Sequence, residues 1–322
     1  MNVSAVVMAH GRREFLREAV DSARAQTGVA TSYEVIVTKD FADPYVDALP
    51  GLRLLDSTGM GTGDMIAEAA KAARGDLLAF LDDDDVWEPG KVAQVLSVFA
   101  SSPRLGYYGH GQSIINDAGE PSPMGGAIWR RQKRLRKDIE IPPPISGSVA
   151  SSLWADPGND SSITLRRAFL LDREPFLRQI RASIDTFLLW TGLLSAGGIR
   201  FAAAPLTRLR VHTENFSRGS RSSFRGYVAQ YQQMEADHLQ SHRVILEMAA
   251  GVPWAEAIIR RRMRDIEHFL EVAEGTVSRR QMLEELRTAK DDPAGAQLSR
   301  ALYVLSPTLA QTANFLNAMA RW

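Results

Sequence analysis

The sequence predicts an α/β fold, a mostly parallel central sheet flanked by helices, with a helical extension at the C-terminal end. Three observations carry that expectation. Short apolar runs alternate with helix-patterned segments from Val3 to Val211, which is the pattern of strands joined by right-handed crossovers. One run, Leu77-Leu78-Ala79-Phe80-Leu81, is apolar at every position and leads directly into Asp82-Asp83-Asp84-Asp85 and Val86-Trp87-Glu88-Pro89. An unbroken apolar run of that length marks a short strand covered on both faces. Beyond Arg225 the pattern becomes helical to the end of the chain.

Val3 to Met8 reads as the first strand, Ala9-His10-Gly11-Arg12-Arg13 as a turn, and Glu14 to Gln26 as a helix, because Leu16, Ala19, Val20 and Ala23 share one face. Glu34 to Thr38 is a second strand ending at Lys39-Asp40, and Leu52 to Leu55 is a third. Gly59-Met60-Gly61-Thr62-Gly63 leads into a helix through Met65 to Ala73. Its third glycine comes one position early for G-x-G-x-x-G and it does not follow the first strand, so it reads as a turn or phosphate-side loop and not as a dinucleotide finger. Gly90 to Ala100 is a helix, Tyr107 to Ile115 a strand, and Asn116 to Gly119 a turn.

The segment from Trp129 to Pro144 combines a basic run with Asp138-Ile139-Glu140-Ile141 and three prolines. Such a run reads as a solvated surface loop, and its functional alternative is a flap over an anionic ligand or a contact with acidic lipid. Ser161 to Leu165 is a strand, Arg166 to Leu171 starts a helix, and Ile184 to Trp190 starts another, with Asp185 in its first turn. Ile199 to Ala203 and Leu206 to Val211 read as two further strands. In the tail, Tyr227, Tyr231, Met234, His238, Ile245 and Met248 form one stripe, on which His238 reads as a packed core residue. Ile259, Met263, Ile266, Leu270 and Ala273 continue the stripe in a second helix, and Ser278-Arg279-Arg280-Gln281 is a capping box opening a third. Leu309, Phe315, Leu316, Met319 and Trp322 form a last apolar edge suited to docking, dimerisation or a membrane interface.

Consecutive carboxylates at the carboxyl end of a buried strand point to chemistry. Ligands of open parallel sheets bind outside the carboxyl ends of the strands. Clustered acids repel, and a hard divalent cation that also holds a phosphorylated substrate relieves the repulsion. The competing reading is a solvated turn that caps the next helix, a task for which one Asp suffices. An EF-hand loop fails because its sixth position is Trp87 where glycine is needed. A P-loop nucleotidase fails because no G-x-x-x-x-G-K-[ST] is present.

Composition adds exclusions. Lys plus Arg and Asp plus Glu both number 38, so the formal net charge is zero and nothing global favours nucleic acid. Without Cys there is no disulfide, thiolate zinc site or Cys nucleophile. The N-terminus reads as a strand and not as a secretory signal, and no apolar window is long enough to span a membrane. The expectation is a cytoplasmic protein, with peripheral contact at the inner membrane face as an option for the C-terminal helices.

The strand Val3 to Met8, the helix carrying Phe15-Leu16-Arg17-Glu18-Ala19-Val20-Asp21-Ser22 and Gln26, the strand Glu34 to Val37, and above all Ala72-Ala73-Arg74-Gly75-Asp76 through Trp87 resemble a family 2 glycosyltransferase of the GT-A fold. The resemblance covers about the first two-thirds of the chain. It implies inverting transfer of a sugar from a nucleotide diphosphate donor to an acceptor hydroxyl, with Mn or Mg as cofactor. Asp82, Asp84 and His212 correspond to the metal-side residues. Ala9, His10, Arg13, Asp40, Asp64, Asp82 and Asp83 correspond to nucleotide-sugar contacts, and Asp185 to the general base. Acceptor contacts are assigned to Trp129, Asn159, Ser162 and Trp190. The family's Ala-Arg-Asn reads Met65-Ile66-Ala67 here, and its Glu-Asp pair at the base reads Ile184-Asp185.

The implied organisation is a catalytic domain over 1–224, with a nucleotide-binding half (1–115) and an acceptor-binding half (116–224), followed by a helical region (225–322). The acceptor is expected to be a glycan, a lipid-linked glycan or a small molecule, and the C-terminal helices to serve a homodimer or a membrane contact. Two other functions remain open at this point: a catalytically silent nucleotide-sugar binding or scaffold protein, and a nucleotidyltransferase on a related fold.

Overall fold

The computed structural model describes residues 1–29, 33–123, 138–153, 158–212, 224–274, 278–288 and 301. The first half runs β1 (Val3–Ala9), α1 (Leu16–Arg24), β2 (Tyr33–Lys39), α2 (Pro44–Ala48), β3 (Leu52–Asp56), α3 (Thr62–Ala72), β4 (Leu77–Asp82), β5 (Val86–Trp87), α4 (Lys91–Ser101) and β6 (Leu105–Ile115). The second half runs β7 (Ile139–Ile141), α5 (Gly147–Leu153), a 3-10 turn (Asp160–Ser162), β8 (Ile163–Arg166), α6 (Arg167–Leu171), α7 (Glu174–Leu177), α8 (Ile184–Leu193) and β9 (Gly198–Arg210). Three helices close the described chain: α9 (Phe224–Met248), α10 (Pro253–Glu274) and α11 (Arg279–Thr288).

One sheet organises the strands in the order β3-β2-β1-β4-β8-β6-β9-β5, with β7 added on β9. The first-half strands β3, β2, β1 and β4 run parallel, and β8 joins β4 to β6 by antiparallel pairing. Both faces are covered. Val3, Ala5 and Val7 point toward α1 and α4, while Val6 and Met8 point toward α3 and α8, the period-two alternation of a strand. Leu77 to Leu81 of β4 are all fully buried, as the unbroken apolar run requires.

The two expected strands at residues 199–211 are one strand, β9, paired in parallel with β6. Pro205 has no N–H to give the ladder, and the break it causes is absorbed by register shifts at His110, Gly111 and Gln112 of β6. The segment expected as a loop before Pro142 contains β7, which pairs with β9 through Ile139 and Phe201. The basic run at 129–137 lies outside the described residues.

The helical extension shares the core of the main fold. Val244, Ile245 and Met248 of α9 and Ala255 and Ile259 of α10 pack in one cluster with Leu188 and Trp190 of α8. Full burial of an Ile side chain contributes roughly 1.5–3 kcal/mol. His238 is partly buried, with Nδ1 3.7 Å from Glu235, and His242 one turn later is the more deeply buried of the two. The capping box is present, since the Ser278 N–H donates to Gln281 Oε1 at 3.0 Å and the Gln281 N–H donates to Ser278 Oγ at 3.2 Å. Among the described residues no helix is long and apolar enough to cross a membrane.

Candidate functional site

Strand order reverses between β1 and β4, which lie side by side with Met8 opposite Asp82. A crevice opens at such a switch point, outside the carboxyl ends of the strands. The turn after β1 delivers His10 and Arg12 to it, and the end of β4 delivers the acids. The acids are not a solvated turn: Asp83, Asp84 and Asp85 are buried, with relative exposures of 4%, 7% and 0%. Buried carboxylates must be paired or neutralised.

Each finds a different answer. Arg12 reaches Asp83 at 2.5 Å and Asp84 Oδ2 at 2.7 Å. His212, just beyond β9, places Nε2 3.0 Å from the same Asp84 oxygen. Asp85 turns inward, where Oδ1 accepts the Arg210 N–H at 2.8 Å and Oδ2 accepts Asn159 Nδ2 at 2.5 Å. Asp82 meets Asn159 Nδ2 at 3.4 Å.

These surroundings divide the cluster electrostatically. Burial pushes Asp82 well above the usual carboxylate range, and the charges of Asp160, Asp85, Asp84 and Asp83 add to it. Burial raises Asp83 to about 6 against the pull of Arg12. Asp85 rises to about 7, because burial and the Asp84 charge outweigh hydrogen bonds from Ser161, Arg210 and Asn159. Asp84 moves the other way. Burial opposes its charge, but the His212 hydrogen bond and the Arg12 guanidinium hold it below its ordinary value. Asp84 is therefore the acid of the cluster that stays ionised most firmly.

Asp82, Asp84 and Asp85 each offer an oxygen, all within 4.8 Å of one another. Hard oxygen donors with one imidazole nearby fit Mg or Mn. Both Asp85 oxygens accept hydrogen bonds from the Arg210 N–H and Asn159, while Asp84 Oδ2 is shared by Arg12 and His212. A cation on Asp84 Oδ2 competes with Arg12 for that oxygen.

The cluster is clamped from behind. Arg210 is 1% exposed and donates to the carbonyls of Asp84 at 2.9 Å, Asn116 at 3.1 Å and Asp117 at 2.9 Å. It also pairs with Glu18 and lies over the Phe15 ring. The Ser161 carbonyl accepts from Lys91 Nζ at 2.6 Å, Thr207 Oγ1 at 2.7 Å and Trp87 Nε1 at 3.1 Å. Lys91 is fully buried over the Trp87 ring, and burial lowers its pKa well below normal while Asp85 and Asp82 pull it back up.

A cleft of about 620 Å³ opens in front of the acids. Of the residues expected from sequence, His10, Asp82, Asp83, Asp84 and Asn159 line it. Asp40 lies at the end of β2, where it accepts the Gly11 N–H at 2.9 Å and pairs with His10 Nδ1 at 3.0 Å. Asp185 follows the cleft-lining Ile184 and accepts the Thr186 N–H at 2.6 Å. Ser183, before α8, holds a left-handed backbone with φ 57°, a cost that a non-glycine residue bears only when its surroundings impose it.

Other expected residues are placed elsewhere. Arg13 lies over Phe41 and not in the cleft, whereas its neighbour Arg12 lines it. Asp64 binds Arg178 at 3.0 Å, because the first turn of α3 faces α7. Ala9 is fully buried inside the sheet. Ser162 is buried with its hydroxyl on Asn159, so its effect on an acceptor can only be indirect. Trp190 is fully buried in the middle of α8 and stacked on Trp254 at 6.0 Å, out of reach of an acceptor. Trp129 lies outside the described residues. Asp160 and Thr62 also line the cleft, as do Arg181 and Ser183, which were not singled out by sequence.

Comparison with known proteins follows the same lines. Residues 4–153 match the family model described as Glycosyl transferase family 2. An uncharacterized glycosyltransferase of Nostoc sp. is 28% identical over 119 residues, covering 34% of this chain and 36% of that protein. The match thus spans little more than a third of that curated relative's length. The crystal structure of S. aureus TarS 1–349 in complex with UDP superposes with a TM-score of 0.55 at 15% identity, covering 100% of this chain and 90% of that one. The mannosyltransferase PcManGT from Pyrobaculum calidifontis, in complex with GDP-Man and Mn2+, gives a TM-score of 0.54 at 15% identity, covering 99% of this chain and 86% of that one. At such identities the structural likeness is one of fold. Residues 4–153 thus resemble glycosyl transferase family 2, and the architecture around them is that of a GT-A fold.

Proposed function

We propose that this protein transfers a glycosyl group from a nucleoside diphosphate sugar to an acceptor hydroxyl, with inversion at the anomeric carbon and with Mn or Mg held by Asp82, Asp84 and His212. The observation that carries the reading is the pairing of partly exposed Asp82 with buried Asp84 at the β1–β4 switch point, facing a cleft large enough for a nucleotide sugar. The nucleotide-bound neighbours of the same fold, with UDP in one and GDP-Man and Mn2+ in the other, support the ligand class. Residues 1–115 are assigned to the donor, 116–224 to the acceptor, and 225–322 to a helical region packed on the core.

When bound, the metal supplies charge neutralisation for the departing nucleoside diphosphate. Asp40 and His10 bracket the end of β2, where the base of the donor is assigned. Asp185 takes the proton of the acceptor hydroxyl as its oxygen bonds to the anomeric carbon and the bond to the diphosphate oxygen breaks on the opposite face. One carboxylate suffices for that displacement, because only one proton leaves the nucleophile. Asn159 orients Asp82 and Asp85 from the acceptor half.

The test is a binding panel of UDP, GDP, TDP and CDP with and without Mn2+, read by thermal shift on the wild type and on Asp84→Asn. A nucleotide at a hundredfold its Kd stabilises the folded state by about 2.7 kcal/mol. A metal-dependent shift for one nucleotide that is lost in Asp84→Asn is expected, and no shift with any nucleotide would refute the donor site. Release of nucleoside diphosphate and not pyrophosphate separates glycosyl from nucleotidyl transfer, and binding without any turnover would identify a silent protein.

A further inference from the structure

Two guanidiniums line the cleft, and only one has a carboxylate partner. Arg12 is committed to Asp83 and Asp84. Arg181, in the turn before α8, is exposed and forms no ion pair or hydrogen bond among the described residues. Asp64, in the first turn of α3, is held instead by Arg178, which also binds Glu68 and Glu174.

The position of Arg181 is also unusual. Its guanidinium lies against Gly61, where an added Cβ would stand 3.0 Å from Nη1 and 3.7 Å from Cζ. Gly61 is the N-cap of α3 and makes no side-chain cap hydrogen bond. A cation resting on the positive end of a helix is disfavoured unless an anion joins them. Thr62, Met65, Ser183 and Ile184 line the cleft together with this pair. Arg181 lines the cleft beside Ala182, Ser183 and Ile184, which lead into the helix that carries Asp185, the base of the proposed function.

We propose that Arg181 is a specificity-determining residue that receives a carboxylate or phosphate carried by the transferred sugar or by the acceptor. The inference rests on the glycosyltransferase reading and adds the substrate class to it. A planar guanidinium binds either anion through two parallel N–H donors, so one residue serves both sources and the experiment distinguishes them.

The full chain is used with Mn2+ and the nucleotide that binds in the panel above. In one arm, donors carrying a neutral hexose and the corresponding uronate are compared. In the other, methyl glucoside and its 6-phosphate are compared as acceptors. Affinity and nucleoside diphosphate release are measured for wild type, Arg181→Gln and Arg181→Lys. The expected result is a preference for the anionic probe in one arm, which Arg181→Gln reduces by roughly 10- to 100-fold, the scale of one charged hydrogen-bonded contact. Arg181→Lys retains part of it, and the affinity for the nucleoside diphosphate alone is unchanged. An anionic preference absent in both arms overturns the proposal, as does one that survives in Arg181→Gln. A loss of nucleoside diphosphate affinity equal to the loss for the anionic probe also overturns it, by placing Arg181 on the diphosphate. Failure of the wild type to bind any nucleoside diphosphate is a different result, which overturns the glycosyltransferase reading together with the inference.

Discussion

Replacing Arg210 by Met tests whether the acid loop is held from behind. Met fills much of the same volume, so the loss is chiefly one of hydrogen bonds. Three carbonyls lose the Arg210 donor, that of Asp84 in a buried position and those of Asn116 and Asp117 in the partly exposed turn beside it. Each such loss costs about 1 kcal/mol. The ion pair with Glu18 adds under about 1 kcal/mol, because that carboxylate is 47% exposed and screened by solvent. Contact with the Phe15 ring at 4.4 Å adds about 0.5–1 kcal/mol. Release of a buried guanidinium offsets part of the sum, and a net loss of about 2–4 kcal/mol is expected. Urea denaturation at neutral pH measures it, with Glu18→Gln as the control expected below about 1 kcal/mol. The Mn2+-dependent nucleotide shift should weaken as well, since Asp84 carries the carbonyl that Arg210 holds. A stability loss below about 1 kcal/mol, or one matched by Glu18→Gln, would refute the view that the carbonyl contacts carry the clamp.

Further expectations follow from neighbouring groups. In Gly63→Ala the new Cβ would stand 2.0 Å from the Leu177 carbonyl oxygen and 2.8 Å from that of Ile180, so a loss of about 1–3 kcal/mol or more is expected by chemical denaturation. Gly61→Ala meets only the movable end of Arg181 and should cost under about 1 kcal/mol. Asp64→Asn should leave nucleotide binding intact and change stability by under about 1 kcal/mol, because its partner Arg178 keeps Glu68 and Glu174; a lost nucleotide shift would return Asp64 to the donor site. His242 sets a pH dependence. Burial lowers its pKa to about 4, opposed by the hydrogen bond to the His238 carbonyl. Below about pH 6.5 the unfolded chain binds a proton that the folded one refuses, so this residue's contribution is present above that pH and is lost as pH falls toward 4. The full loss is about 3 kcal/mol. Unfolding curves of wild type and His242→Gln from pH 7 to pH 4 should diverge by that amount, and parallel curves would refute it.

The legible part of the site is the part written in consecutive residues. The run Leu77 to Leu81 followed by four acids reveals a doubly covered strand and a charge cluster at its end, and the structure has both. Strand periodicity could not reveal which acid faces what. Asp83 and Asp84 answer Arg12, whereas Asp85 answers Asn159 and the backbone of Arg210, residues 74 and 125 positions away. Arg12 and Arg13 are adjacent in a turn without a period, so nothing local distinguishes the one in the cleft from the one over Phe41. Asp64 sits in a first helical turn that could serve a ligand or a neighbouring helix, and only the position of Arg178 decides.

Trp190 is the case in which a signal was present. From Ile184 to Leu193 the helix is apolar nearly all round, and a helix of that kind is buried on every side. A tryptophan at its centre belongs to the core, and under the proposed function acceptor contacts fall to the N-terminal end, where Ser183, Ile184 and Asp185 stand. The same logic explains why Lys91 was invisible. One lysine at the start of a surface-patterned helix reads as solvated, but Trp87 offers its ring and Ser161 its carbonyl, and together they hold the ammonium beneath the acid cluster. Ser161 also accepts the Asp82 N–H on its hydroxyl at 3.0 Å. The 3-10 turn from the second half thereby fixes the backbone of the first acid, and the two halves of the sheet meet at the site because neither satisfies its buried polar groups alone.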